Sequence, residues 1–188
     1  LSGLYDHVGG GFHRYSTDAQ WHCPHFEKML TDNAQMIELY SIAYDQRPSD
    51  LYKKVVVETI NHLLLDWVKD GCFIHSIDAD SNGVEGLFYT VTYDELVELF
   101  SNHDFSVDLD VFCNYFQITR AGNMVDEATH EDTGYNIFHP SAAEIPFDWG
   151  PIRESLCEFR LKKRSFPLKN KQISISGNAL MAHALLVA

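Results

Sequence analysis

Basic residues are scarce in this chain. Only 14 Lys and Arg stand against 27 Asp and Glu in 188 residues, giving a formal net charge of -13 and a pI near 5.0. Nucleic-acid binding is driven by clustered Lys and Arg that neutralise phosphates, so this balance argues against a nucleic-acid partner. The short run from Lys162 to Arg164 is too small to reverse it. Long apolar runs are missing as well: none approaches the roughly 18–20 residues that a bilayer-spanning helix requires. The N-terminus lacks the basic start and apolar core of a signal peptide. The expected setting is therefore the cytosol, with no membrane partner. The four cysteines, Cys23, Cys72, Cys113 and Cys157, include no Cys-x-x-Cys pair. Their spacing spells out neither a zinc ribbon nor a redox motif, and reduced structural thiols are the expectation.

What is present is an ordinary globular composition, 45% hydrophobic and 22% charged, long enough for one domain with its own core. The chemistry concentrates between Gly9 and Leu30, GGGFHRYSTDAQWHCPHFEKML, which holds three consecutive glycines, three histidines, an arginine, a Glu-Lys pair and four aromatic rings. A glycine triplet lets the backbone approach something closely, and the side chains after it are of the kind that line a pocket for a polar organic ligand.

Periodicity predicts a helix from about Pro24 to Gln46, with Phe26, Leu30, Ile37, Tyr40 and Tyr44 on one stripe and Arg47-Pro48 closing it. A second follows from an N-cap at Ser49 to a stop at Gly71, its stripe formed by Tyr52, Val56, Ile60, Leu63, Leu64 and Trp67. Together they form an antiparallel helical hairpin. Residues Cys72 to Val91 read as a β-hairpin around an acidic loop, and Thr92 with Glu95 as a capping box opening a helix over Tyr93 to Phe100. Val111 to Phe116 fits helix or strand. Helical patterns return from Pro151 to Arg164 and from Leu180 to Val187, and the abrupt start and stop suggest a piece of a longer protein.

The segments YDHVGGGFHRYSTDAQWHCPHFEKMLTDNAQ, HSIDADSNGVEGLFYTVT, TGYNIFHP and RLKKRSFPLKNKQISISGNALM resemble, in order and spacing, four motifs of the YyaL-type, spermatogenesis-associated thioredoxin-domain-containing protein family. That resemblance implies a mainly α fold: part of an (α/α)6 toroid of helical hairpins, similar to six-hairpin glycosidases and N-acylglucosamine 2-epimerases, with a small β-hairpin insertion. It also implies a thioredoxin-like domain elsewhere in the full-length protein. An open half-barrel would expose apolar helix flanks, so self-association of the isolated piece is expected. The last motif departs from the family. Where acidic residues, a lysine and Trp-Asn-Gly are usual, this chain has Asn170, Lys171, Gln172, Gly177, Asn178 and Ala179. An aromatic wall and a carboxylate are gone, so lost or altered activity is expected if those positions form the pocket.

His13, Arg14, His25, Glu27, Lys28 and Asp32 match the first motif and offer acid-base groups and a clamp for a sugar-like ligand. If Pro24 starts the helix, Glu27 lies roughly 160° from His25. His13, Arg14 and His25 are then expected to face the pocket, with Glu27 and Lys28 in an ion-pair network. A buried polar network tying the glycine loop to the helix explains the same residues equally well. Gly10, Gly11, Tyr15, Trp21 and Glu85 complete the expected ligand-binding set, with Asp78 and Asp80 joining His13 and His25 as catalytic candidates. Phe12, Tyr15 and Trp21 fit core packing as readily as sugar stacking. The D-x-D-x-N-G run at Asp78 opens like a calcium loop, yet Tyr89 stands where the bidentate Glu is needed, and His22-x-x-His25 has no third metal ligand at a convincing spacing. The motifs call for no cofactor. Two classes remain: a glycosidase-like or 2-epimerase-like enzyme binding a saccharide at the toroid mouth, and a non-catalytic module partnering the thioredoxin-like domain or other proteins.

Overall fold

Phe26 and Lys28 are almost fully buried while His25, Glu27 and Met29 are half-exposed, so Pro24 to Leu30 alternates with a period of two. That is the pattern of an extended segment. In the computed structural model, which describes residues 1–126, 129, 131–142 and 144–188, Pro24–His25 pairs antiparallel with Tyr15–Ser16, and Lys28–Met29 with Ser76–Ile77. The helix expected from Pro24 begins later, α1 spanning Leu30–Gln46. Phe26 and Leu30, four apart, suit either period; the buried ammonium of Lys28 favours the extended form, which turns it inward beside Phe26.

Helix α2 spans Asp50–Asp66, with Ser49 at the N-cap position but making no side-chain cap bond. It ends before Gly71. Val68–Lys69 and Cys72–Phe73 pair around Asp70 and Gly71, whose φ values are 51° and 77°, so Gly71 belongs to a tight hairpin turn rather than a helix stop. Leu64, placed on the buried stripe by its spacing, is exposed. Helix α3 (Tyr93–Ser101) opens with the capping box of Thr92 and Glu95, both reciprocal bonds being present. The ambiguous stretch after it is helical, α4 spanning Leu109–Phe116. Helix α5 covers Trp149–Lys163 and α6 covers Ile175–Val187.

The expected single hairpin over Cys72 to Val91 is divided among several partners. Ser76–Ile77 lies between Lys28–Met29 and Lys169–Asn170 in a three-stranded ribbon, which ties the first, second and fourth motifs together. Asp80–Ser81 and Val84–Glu85 form a short hairpin around Asn82 and Gly83, with φ values of 54° and 76°. Val91–Thr92 pairs with Tyr135–Asn136 from the third motif.

Two principal cores result. Leu30, Ile37, Leu63, Trp67, Ile77 and Met181 bind α1 to α2, α6 and the ribbon. Leu96, Phe112, Phe116, Phe138, Ile152 and Leu156 join α3, α4 and α5 in an aromatic-rich cluster. The chain is thus mainly helical, with short strand pairs between helices, and no helix among the described residues is long and apolar enough to cross a membrane.

In the altered last motif, Asn178 donates to Phe73 O at 2.9 Å and accepts from Phe73 N at 2.8 Å. Gly177 is buried where α6 meets Leu30, and a Cβ there would come within 3.2 Å of Leu30 Cδ2. Both residues fix α6 in place.

Candidate functional site

The glycine loop folds over a buried ion cluster. Asp6, Lys28 and Arg160 come from the first and last motifs and are each 5% exposed or less. Lys28 Nζ donates to Asp6 Oδ2 at 2.9 Å and to Gly10 O at 2.7 Å, while Arg160 Nη1 donates to Asp6 Oδ1 at 2.8 Å. Burial pushes the Asp6 carboxyl up, but Arg160 and Lys28 outweigh it and hold the group well below the usual carboxylate range. The loop needs its glycines here. Gly10 and Gly11 have φ of 84° and 78°, and a Cβ on either would run into the Glu58 carbonyl or the His62 ring of α2. Both are buried against α2.

His13 joins this interior. It is 3% exposed, its Nδ1 lies 2.9 Å from Phe26 O, and its ring meets those of Phe26 and Tyr89 edge-on. Burial pushes its pKa down to about 3, so the ring is neutral and Nδ1–H donates to the carbonyl. Its bonding is that of a strut.

The opposite side of the same extended segment is open. His25 Nδ1 lies 2.7 Å from Glu85 Oε1, which also accepts from Phe26 N at 3.2 Å. Tyr15 stacks on the imidazole with ring centroids 5.0 Å apart and planes at 22°. Glu27 Oε2 stands 3.8 Å from His25 Nε2 and 3.0 Å from Arg14 Nη1, forming a chain Arg14–Glu27–His25–Glu85 along one face. Period-two geometry puts His25 and Glu27 together, in place of the wide separation a helix would give.

This face forms one wall of a cleft of about 1170 Å³, lined by Tyr15, His25 and Glu85 on one side and Gln117, Asn123 and His139 on another. Asp18 anchors the intervening loop. Burial raises its pKa, but the N–H groups of Cys23, His22 and Gln20 prevail and lower it. His22 Nε2 lies 2.9 Å from Asn123 O and its ring is 5.0 Å from that of His139, whose Nδ1 accepts from Gln117 Nε2 at 2.7 Å. Burial and the neighbouring His22 lower the pKa of His139.

Of the residues singled out by sequence, the cleft brings together Tyr15, His25 and Glu85, with Arg14 beside them through Glu27. Trp21, exposed and with φ of 59°, lies outside the lining. Asp78 and Asp80 are exposed on the second hairpin; Asp80 sits across the ladder from Glu85 but does not line the cleft. Asp80 N approaches Asp78 Oδ1 at 3.4 Å, a local side-chain-to-backbone turn. Among the described residues no group of three or more His, Cys, Asp or Glu is placed to hold a metal ion. Sequence reasoning missed Asp18, Gln117, Asn123 and His139, and the Asp6–Arg160 pair. His139 lies in the TGYNIFHP motif and was the available signal; the 154-residue separation of Asp6 and Arg160 offered none.

Fold and site define a mainly helical domain with a polar, imidazole-rich cleft. No family model matches the chain. It is 42% identical over 110 residues to spermatogenesis-associated protein 20 of Mus musculus and 41% identical over 110 residues to that of Homo sapiens, covering 52% of this chain and 13% of each relative. An uncharacterized protein of Caenorhabditis elegans, B0495.5, is 38% identical over 133 residues, covering 65% of this chain and 18% of that protein. These relatives support the spermatogenesis-associated protein family to which the motifs point, and the chain spans less than a fifth of their length.

Proposed function

We infer that the chain is part of an (α/α) toroid whose mouth binds a saccharide-like ligand in the cleft of Tyr15, His25 and Glu85, with His25 as its acid-base group. The observation that carries this reading is the 2.7 Å contact between His25 Nδ1 and Glu85 on the wall of an open cleft. Glu85 fixes the Nδ1–H tautomer and leaves Nε2 to take and return a proton. Gln117, whose amide nitrogen is held by His139, offers its amide oxygen to hydroxyls, and Tyr15 offers an aromatic surface. Glu85 is already engaged by an imidazole and a backbone N–H. That arrangement favours histidine-based proton transfer, as in a 2-epimerase, over the two free carboxyls of a glycosidase.

A second reading is a non-catalytic module that partners a thioredoxin-like domain in the cytosol. The interior placement of His13, Lys28, Gly10 and Gly11 favours it, since much of the first motif then serves the fold.

A panel of neutral mono- and disaccharides, screened by thermal shift, separates the two. A sugar present at 100 times its Kd stabilises the chain by about 2.7 kcal/mol. His25→Ala and Glu85→Ala should remove that shift while leaving the ligand-free melting temperature within a few degrees, because both side chains sit at the surface. A chain that melts normally and responds to no sugar is the non-catalytic module.

A further inference from the structure

A second cavity, sharing no lining residue with the cleft, lies between α2 and α5. It measures about 320 Å³, near the lower end of the roughly 300–1,000 Å³ typical of small-molecule pockets. Phe88, Phe166 and Leu161 give it apolar walls, and Tyr89 and His62 are also among its lining residues.

Tyr89 is 5% exposed and held on every side. Its carbonyl accepts from Arg160 Nη2 at 2.7 Å, its ring stacks on Phe26 with planes at 8°, and Lys28 Nζ sits 5.0 Å from the ring centroid. Its hydroxyl has no hydrogen-bond partner among the described residues. Asp32 Oδ2 and Thr59 Oγ1 are also unpartnered, but those atoms are sealed inside; the phenol oxygen is not sealed, and the residue lines the cavity. Burial and nearby carboxylates raise its pKa, so it remains an O–H that both donates and accepts.

His62 supplies the second group. Trp67 Nε1 donates to His62 Nε2 at 3.2 Å, and burial keeps the ring neutral, which places the proton on Nδ1. That N–H has no partner among the described residues. The ionised groups around the cavity, by contrast, are matched: Asp6 by Lys28 and Arg160, Glu58 by Arg153 at 2.6 Å, and Asp66 by Lys169 at 3.0 Å. A charged ligand would have to break one of these pairs.

We propose that this cavity binds a small uncharged ring compound bearing a carbonyl or hydroxyl group, with Tyr89 Oη and His62 Nδ1 as its hydrogen-bond partners. The ring fills the space between Phe88, Phe166 and Leu161, and its oxygen satisfies the two preorganised donors. This site stands whether or not the cleft binds a saccharide.

Benzamide is a suitable probe, with benzoate and benzylamine as charged counterparts, titrated into the 188-residue chain and followed by ligand-observed NMR. Saturable one-site binding of benzamide is expected, with both charged analogues weaker. Tyr89→Phe removes only a hydroxyl that makes no internal bond, so the fold survives and affinity falls about three- to tenfold. Leu161→Trp, at the exposed rim, blocks entry with Tyr89 intact and should abolish binding. The proposal is overturned if benzamide does not bind at millimolar concentration, if benzoate or benzylamine binds as tightly, or if both variants bind like the unmodified chain.

Discussion

Two cations converge on one buried anion at Asp6, and the asymmetry is visible in how the partners titrate. Asp6 gains from both Arg160 and Lys28 and stays ionised far into acid, whereas burial and repulsion from Arg160 let the pKa of Lys28 fall despite its pairing with Asp6. The imidazoles beside this cluster are kept neutral. Burial lowers the pKa of His7 to about 4 and that of His13 to about 3. A histidine whose folded pKa lies below its unfolded value of about 6.5 binds fewer protons folded than unfolded, so stability rises with pH across that interval and falls on acidification. Each should cost about 1.4 kcal/mol per pH unit below about 6.5, until its folded pKa is reached. Asp6 has the opposite origin but the same direction: its depressed folded pKa gives stability that is complete above about 3.9 and is lost as pH falls further. Urea denaturation in steps from pH 7 to pH 3 should therefore show a decline that starts near 6.5 and continues below 4. A flat profile between 6.5 and 5 would show that these histidines ionise freely in the folded chain.

Hairpins and helices were legible in the sequence to different degrees. The reciprocal Thr92–Glu95 cap could be read because both partners lie within one turn. The start of α1 could not, since Phe26 and Leu30 satisfy a period of two as well as of 3.6, and the carboxylate that draws Lys28 inward lies 22 residues away. A greater separation hid half of the candidate site: His25 was recognisable from its motif, but its position opposite Asn123 and His139 depends on contacts about 100 residues apart in sequence. Two glycines of the second motif show how surroundings decide what local sequence leaves open. Gly83 and Gly86 have nearly the same φ, 76° and 72°, yet a Cβ on Gly83 meets nothing within 4 Å while one on Gly86 runs into the Phe26 ring. Gly83→Ala should cost only the left-handed backbone strain, about 1–2 kcal/mol. Gly86→Ala adds displacement of a buried ring and should cost clearly more, about 1–3 kcal/mol beyond that. Equal losses in chemical denaturation would mean that Phe26 is free to move.

Outside its cores the chain leaves apolar side chains of α1, α2 and α6 uncovered. Leu39, Leu65, Ile175 and Leu186 are all more than half exposed, and on α6 only Gly177, Met181 and Ala184 are buried. A helix apolar around most of its circumference is stable in water only when further protein covers it. In the isolated 188-residue chain a second copy is the available cover, opposed by the formal net charge of -13 on each molecule. The balance between these terms should be set by salt. At about 0.01 M ionic strength the screening length is near 30 Å and repulsion acts across a whole domain; at about 0.1 M it falls to near 10 Å. Sedimentation velocity should accordingly show monomer at low salt and a concentration-dependent increase in mass at moderate salt. Adding Ile175→Glu and Leu186→Glu together should restore the monomer at every salt concentration without lowering the melting temperature, because neither side chain is buried in the single chain. An increase in mass that persists in the double variant would place the contact on another face, with the exposed Leu65 of α2 the next position to change.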